Sequence, residues 1–187
     1  MPSTTAPAKR TPLPMAPHKP QPYEGPSKAE VLALRKQYLS PGLITYYTDP
    51  LLIVEGKGQY VWDETGKQYL DGFAGIVTIS VGHCHPKVVE KVQAQVGRLQ
   101  HTTTIYIHPA IGLLAKKLAE KMPATSELSV AYFTNSGSEA DEVAVLMSRE
   151  YTKNTDVIGL RNGYHGCTQL VQSLIAQGKL GFWPGLL

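Results

Sequence analysis

One run of residues constrains this chain more than any other. Between 130 and 160 an apolar stretch, a turn of small hydroxylated residues, an amphipathic stretch and a second apolar stretch follow one another. Residues 130–133 read as a buried strand, and residues 139–151 as a helix with Ala140, Val143, Ala144 and Met147 on its inner face. Residues 156–160 read as the next strand. A strand-helix-strand alternation predicts an α/β fold, with a parallel sheet and helices packed on it.

Earlier elements are legible from their punctuation. Ser27 with Glu30 makes a capping box, Val31, Leu34 and Tyr38 follow at helical spacing, and Pro41-Gly42 stops the run. Tyr60-Val-Trp62 and Gln68-Tyr-Leu70 flank Asp-Glu-Thr-Gly and read as a β-hairpin. Residues 73–81 are apolar and β-branched and break at Gly82. Two helices follow. Pro86 opens one, with Val89, Val92, Val96 and Leu99 on one face. The other opens near Pro109, carries Ile111, Leu114, Ala115 and Leu118, and closes by Pro123.

Composition excludes some classes of function. The net charge of +3 owes much to Lys9, Arg10 and Lys19, which precede the first acid, so nucleic acid is not the expected partner. The longest apolar run is too short and polar to span a membrane, and no membrane partner is expected. Cys84 and Cys167 make no disulfide framework and suit a reducing compartment. The leader, residues 1–22, is rich in Pro, Thr and Ala and reads as disordered. It is basic and acid-poor like a transit peptide, but a simple mobile tail fits it equally well.

Three motifs carry chemistry. At Asn135-Ser-Gly-Ser138 a strand end meets a helix start, where unpaired amides and the helix dipole favour an anion. Gly137 lets the backbone approach a ligand, and the hydroxyls of Ser136 and Ser138 add hydrogen bonds. The same residues satisfy a second reading, since Ser136 and Glu139 form a capping box that needs no ligand. Neither a P-loop nor a Gly-x-Gly-x-x-Gly motif is present. At Arg161-Asn-Gly-Tyr-His-Gly166, Tyr164 offers a flat ring for a planar cofactor and His165 a polar handle. The pair also reads as a packing anchor. Together the two loops suit a flat, phosphorylated heterocycle. Gly82-His-Cys-His-Pro86 invites a metal. Neighbouring side chains of an extended segment diverge, however, and no second cluster completes a site, so a tight turn is the better reading and no metal is expected.

In order, Tyr38-Leu-Ser-Pro41, Tyr69-Leu-Asp71, Gly75-Ile-Val-Thr-Ile-Ser-Val-Gly-His-Cys-His-Pro86, Asn135-Ser-Gly-Ser-Glu-Ala140 and Tyr164-His-Gly166 resemble the class III aminotransferases. The Gly-Ile-Val-Thr and His101-Thr-Thr-Thr segments are similar to the alanine–glyoxylate aminotransferase 2 type within that family. The resemblance implies a pyridoxal phosphate (PLP) enzyme of fold type I, here an incomplete large domain. It divides the chain into a leader (1–22), a helix and hairpin segment (23–72), a partial PLP-binding domain (73–178) and a divergent tail (179–187). It implies that Gly137 and Ser138 hold the phosphate of pyridoxal 5'-phosphate, that Tyr164 stacks on its ring with His165 beside it, and that Ile76 and Val77 lie near the substrate.

The implied reaction moves an amino group from an amino acid, alanine in this subgroup, to a keto acid, glyoxylate. A homodimer or higher oligomer is implied for the full-length form. The expected compartment is the mitochondrion, with the peroxisome and cytoplasm as alternatives. Another ω-aminotransferase, or a non-catalytic short isoform that binds full-length subunits, is the alternative reading.

Two departures from the pattern stand out. Asp141 occupies a position where the family usually has Asn. No lysine matches the family's Schiff-base lysine, since neither Lys153 nor Lys179 has the right context. No catalytic residue is therefore assigned, and the chain reads as an N-terminal fragment inactive by itself.

Overall fold

The computed structural model describes residues 14–43 and 45–175. The chain divides into two compact units, Met1–Thr102 and Thr103–Leu187. The tail and Lys179 lie outside the described residues, as does the leader before Pro14.

In the first unit, helix α1 (Lys28–Tyr38) starts at the expected capping box. The Ser27 hydroxyl accepts from the Glu30 amide, while the Glu30 carboxylate accepts from the Ser27 amide. The Ser27 hydroxyl and amide both favour the ionised Glu30 and hold its carboxyl below the usual range. The helix stops at Leu39, ahead of Pro41.

Strands β1 (Ile53–Lys57), β2 (Tyr60–Asp63) and β3 (Gln68–Leu70) form an antiparallel sheet in that order. The hairpin is as expected, with Tyr60 opposite Leu70 and Trp62 opposite Gln68. Its turn is fixed by Asp63, whose Oδ1 accepts from the Thr65 and Lys67 amides and the Thr65 hydroxyl. Gly66, at φ 81°, takes the left-handed position that closes the turn. Tyr69 donates to Asp63 Oδ2 at 2.7 Å. Burial opposes ionisation of Asp63, yet the hydrogen bonds from Thr65, Tyr69 and the Lys67 and Thr65 amides outweigh it and bring its carboxyl down to about 2. Trp62 is the centre of this small core, at 2% exposure, with Tyr60 beside it.

Strand β1 is not evident in the sequence, because Glu55 and Gly56 break its apolar pattern. Gly56 is needed for packing, since a Cβ there would lie 2.8 Å from the His83 ring.

From Pro14 onward the supposed disordered leader lies along the sheet. Gln68 donates to the Pro14 carbonyl and accepts from the Ala16 amide. His18 pairs with Glu55 and meets Trp62 edge to face, and the Gln21 amide reaches the other Glu55 oxygen. Composition hid this because the strap is held by polar side chains of the sheet rather than by apolar periodicity.

The apolar stretch 73–81 makes no strand. It contains one short turn, α2 (Ala74–Val77), wound in the left-handed sense with φ between 50° and 60°. Such geometry costs about 1–2 kcal/mol for each residue with a Cβ. Asp71 offsets part of that cost: its Oδ1 accepts from the Phe73 and Ala74 amides, and its Oδ2 meets His83 Nε2 at 2.7 Å. These bonds, His83 foremost, hold the Asp71 carboxyl below its usual range. His83 also exchanges two backbone bonds with Gly58, so both ends of the loop are tied to the sheet. This is the use the structure makes of the first histidine of Gly-His-Cys-His-Pro. Helix α3 (Pro86–Val96) then opens at Pro86 as expected.

The second unit contains α4 (Pro109–Ala119), α5 (Gly137–Thr152) and α6 (Gln169–Ser173). The parallel strands expected at 130–133 and 156–160 are not formed among the described residues. Val130 and Ile158 are 95% and 97% exposed. A strand exists only through hydrogen bonds to a neighbouring strand, and among the described residues these stretches have none. For the same reason Ala140, Ala144 and Met147, expected to face inward on α5, are exposed, and Val143 is only partly covered. The buried centre of this unit is Val171 with Ile175.

Candidate functional site

The start of α5 is built by local chemistry. Ser136 is its N-cap, with extended backbone and a hydroxyl that accepts from the Glu139 amide at 3.1 Å. The expected capping box is altered. The Glu139 carboxylate reaches past Ser136 to the Asn135 amide at 2.7 Å. The Ala140 amide bonds to the Ser136 carbonyl. The amides of Gly137 and Ser138 have no acceptor among the described residues. Two aligned N–H groups are thus left at the positive end of a 16-residue helix. A Cβ on Gly137 would meet nothing within 4 Å, so no neighbouring atom crowds the helix start on that side.

The loop after residue 160 folds onto this helix start. The Cys167 amide donates to Ser138 Oγ at 3.0 Å, and the Leu170 amide donates to Glu142 Oε1 at 3.1 Å. Ser138 and Glu142, four residues apart, share one face of α5 and hold the incoming backbone at two points. Tyr164 is half exposed, and its hydroxyl lies 3.1 Å from Cys167 Sγ. His165 Nδ1 lies 4.0 Å from Asp141 Oδ2. Two buried polar atoms here, His165 Nε2 and Thr168 Oγ1, have no hydrogen-bond partner among the described residues.

The structure therefore brings Gly137, Ser138, Tyr164 and His165 into one neighbourhood, although 26 residues separate Ser138 from Tyr164. Ile76 and Val77 belong to the first unit, on the left-handed turn, with both side chains largely exposed. Sequence reasoning missed the roles of Cys167 and Glu142, which act through a backbone amide and a carboxylate and leave no pattern to read.

The donors suit a phosphate dianion: two free amides and one hydroxyl whose acceptor side is already engaged. Glu139 and Asp141 add negative charge to the first turns, which works against an anion there. Lys153 cannot serve a ligand at this spot. It caps the far end of α5, pairs with Glu150, and lies about 24 Å from the helix start at 1.5 Å per residue.

Comparison with known proteins defines the class. Residues 45–180 match the family described as aminotransferase class-III. The chain is 49% identical over 154 residues to the mitochondrial alanine–glyoxylate aminotransferase 2 homolog 2 of Arabidopsis thaliana, covering 82% of this chain and 32% of that protein. It is 43% identical over 166 residues to the mitochondrial alanine–glyoxylate aminotransferase 2 of Homo sapiens, covering 89% and 32%. Among solved structures it is similar to a phospholyase from Arthrobacter in complex with phosphoethanolamine, with a TM-score of 0.73, 32% identity, and coverage of 80% and 34%. It is also similar to a PLP-bound amine transaminase from an uncultivated Pseudomonas species, with a TM-score of 0.68, 29% identity, and coverage of 81% and 36%.

This chain belongs to the class III aminotransferases, PLP-dependent enzymes of fold type I. It spans about a third of the length of the curated relatives it matches. No helix among the described residues is long and apolar enough to cross a membrane.

Proposed function

We propose that these residues form the phosphate side of a PLP site in an aminotransferase that moves an amino group from alanine to glyoxylate. The observation that carries this reading is the pair of free amides at Gly137 and Ser138, with the Tyr164 loop stitched to the same helix start. Gly137 and Ser138 hold the phosphate, Tyr164 covers the ring, and His165 sits beside it. When bound, PLP supplies a ring that withdraws electrons from the amino acid's α-carbon. The chain's own residues bind and orient the cofactor. An alanine donor and a glyoxylate acceptor rest on the names of the relatives, as does a mitochondrial location. In the longer form the protein is a homodimer or higher oligomer.

The distance from the helix start to Lys153 supports a further part of this reading. These 187 residues by themselves bind PLP without forming a covalent bond to it and do not transaminate. Mixing the chain with PLP, reducing with borohydride and measuring intact mass tests this. Scattered, substoichiometric labelling of surface lysines with no alanine–glyoxylate turnover is expected; a stoichiometric PLP adduct on one lysine, with turnover, would overturn it.

The bare apolar side chains at Val130, Tyr132 and Ile158 favour a second reading, in which the chain associates with full-length subunits. Co-expression of tagged forms should yield a mixed oligomer, and its absence argues against association.

A further inference from the structure

We propose that Ser138 couples the two halves of this site, so that an anion at the start of α5 tightens the Tyr164 loop through the Ser138–Cys167 hydrogen bond, with Gly166 the positioning residue that makes the bond possible. The inference rests on the phosphate reading of Gly137 and Ser138 and adds to it a link between phosphate and ring recognition.

The geometry is demanding. Gly166 is buried with φ 118°, a conformation that L side chains rarely adopt. A Cβ there would lie 2.2 Å from Ser138 Oγ and 2.8 Å from Ser138 Cα. The loop backbone therefore rests directly on the helix start, and a single methyl group would push it away. Contact at this distance lets the next amide, that of Cys167, reach Ser138 Oγ at 3.0 Å.

The hydroxyl has one proton and two lone pairs, and the Cys167 amide occupies its acceptor side. Its proton is free to donate to an anion beside the Gly137 and Ser138 amides. Donation and acceptance by one hydroxyl reinforce each other, because giving up the proton to an anion makes the oxygen a better acceptor. Anion binding thus strengthens the bond that holds the loop. The loop carries Tyr164, whose hydroxyl contacts Cys167, so the ring-covering side chain is tied to the same point. The bond from the Leu170 amide to Glu142 anchors the other end and does not depend on the anion.

Amide hydrogen exchange of the 187-residue chain, with and without saturating inorganic phosphate, tests the coupling. Phosphate should slow exchange at Gly137 and Ser138, and also at residues 164–168, while Leu170 stays unchanged. In S138A the Cys167 amide should exchange about tenfold faster without phosphate, the scale of one lost hydrogen bond, and phosphate should no longer protect the loop. G166A never touches the anion, yet it should abolish the phosphate response at 164–168. Because G166A could disturb folding, exchange at residues 143–149 of α5 serves as its control, and S138A tests the link without adding bulk. Protection at Gly137 and Ser138 with no response at 164–168, or an unaltered loop response in S138A, overturns the coupling alone. No protection at Gly137 and Ser138 overturns the phosphate reading and the coupling with it.

Discussion

The hairpin sheet and the stretch from 128 to 160 contain similar apolar and β-branched residues, yet only the first closes on itself. In the sheet, β2 and β3 are joined by one turn, and the residues that must pair are neighbours in sequence. Trp62 is buried and Asp63 ties the turn. In the second region Val130, Tyr132, Ile158 and Leu160 lie open, because parallel strands need partners brought in by long connections. Local antiparallel pairing is self-sufficient at this scale, and parallel pairing is not.

The largest effect that would sharpen this contrast is expected at Trp62. Trp62→Ala should cost about 3–5 kcal/mol of the sheet's stability, a typical price for emptying an aromatic core site. Chemical denaturation followed by near-ultraviolet circular dichroism reads it, and a loss below about 1 kcal/mol would mean that the sheet does not depend on its most buried aromatic.

Acid comes next. The Asp63 carboxyl, at about 2 in the fold against 3.8 as a free group, stabilises the fold above pH 4. That contribution is lost as pH falls through 4 toward 2, and amounts to about 1–2 kcal/mol after allowance for solvent screening. Asp63→Asn should flatten the acid limb of the stability profile; an unchanged limb would assign acid sensitivity to other groups, such as Asp71. At the start of α5, Ser136→Ala should cost the helix about 1 kcal/mol, read by exchange of its first-turn amides.

The smallest effect is the most telling. Val130→Thr and Ile158→Thr should each change stability by less than about 0.5 kcal/mol, because both side chains are already in water. A cost near 2 kcal/mol in thermal unfolding would show that these stretches are packed after all.

What the sequence made legible follows the same division. The Ser27 capping box, Pro86, Pro109 and the Asp-Glu-Thr-Gly turn act within a few residues, and each begins or closes an element where expected. Strand β1 was hidden because Gly56 answers to the ring of His83, 27 residues away. The strap from Pro14 was hidden because Gln68 and Glu55 hold it from across the sheet. In the candidate site, the Ser136 cap and the open Gly137 turn were legible, and the pairing of Ser138 with Cys167 was not. That contact spans 29 residues through a backbone amide, which has no identity for a sequence to display.

Binding of PLP against pyridoxal, which lacks the phosphate, is the most direct test that the start of α5 recognises the phosphate. Fluorescence titration of the 187-residue chain should give at least about tenfold tighter binding of PLP, the scale of one or two charge-assisted hydrogen bonds. Inorganic phosphate should compete with it. Equal affinity for the two compounds, with no competition from phosphate, would contradict the account.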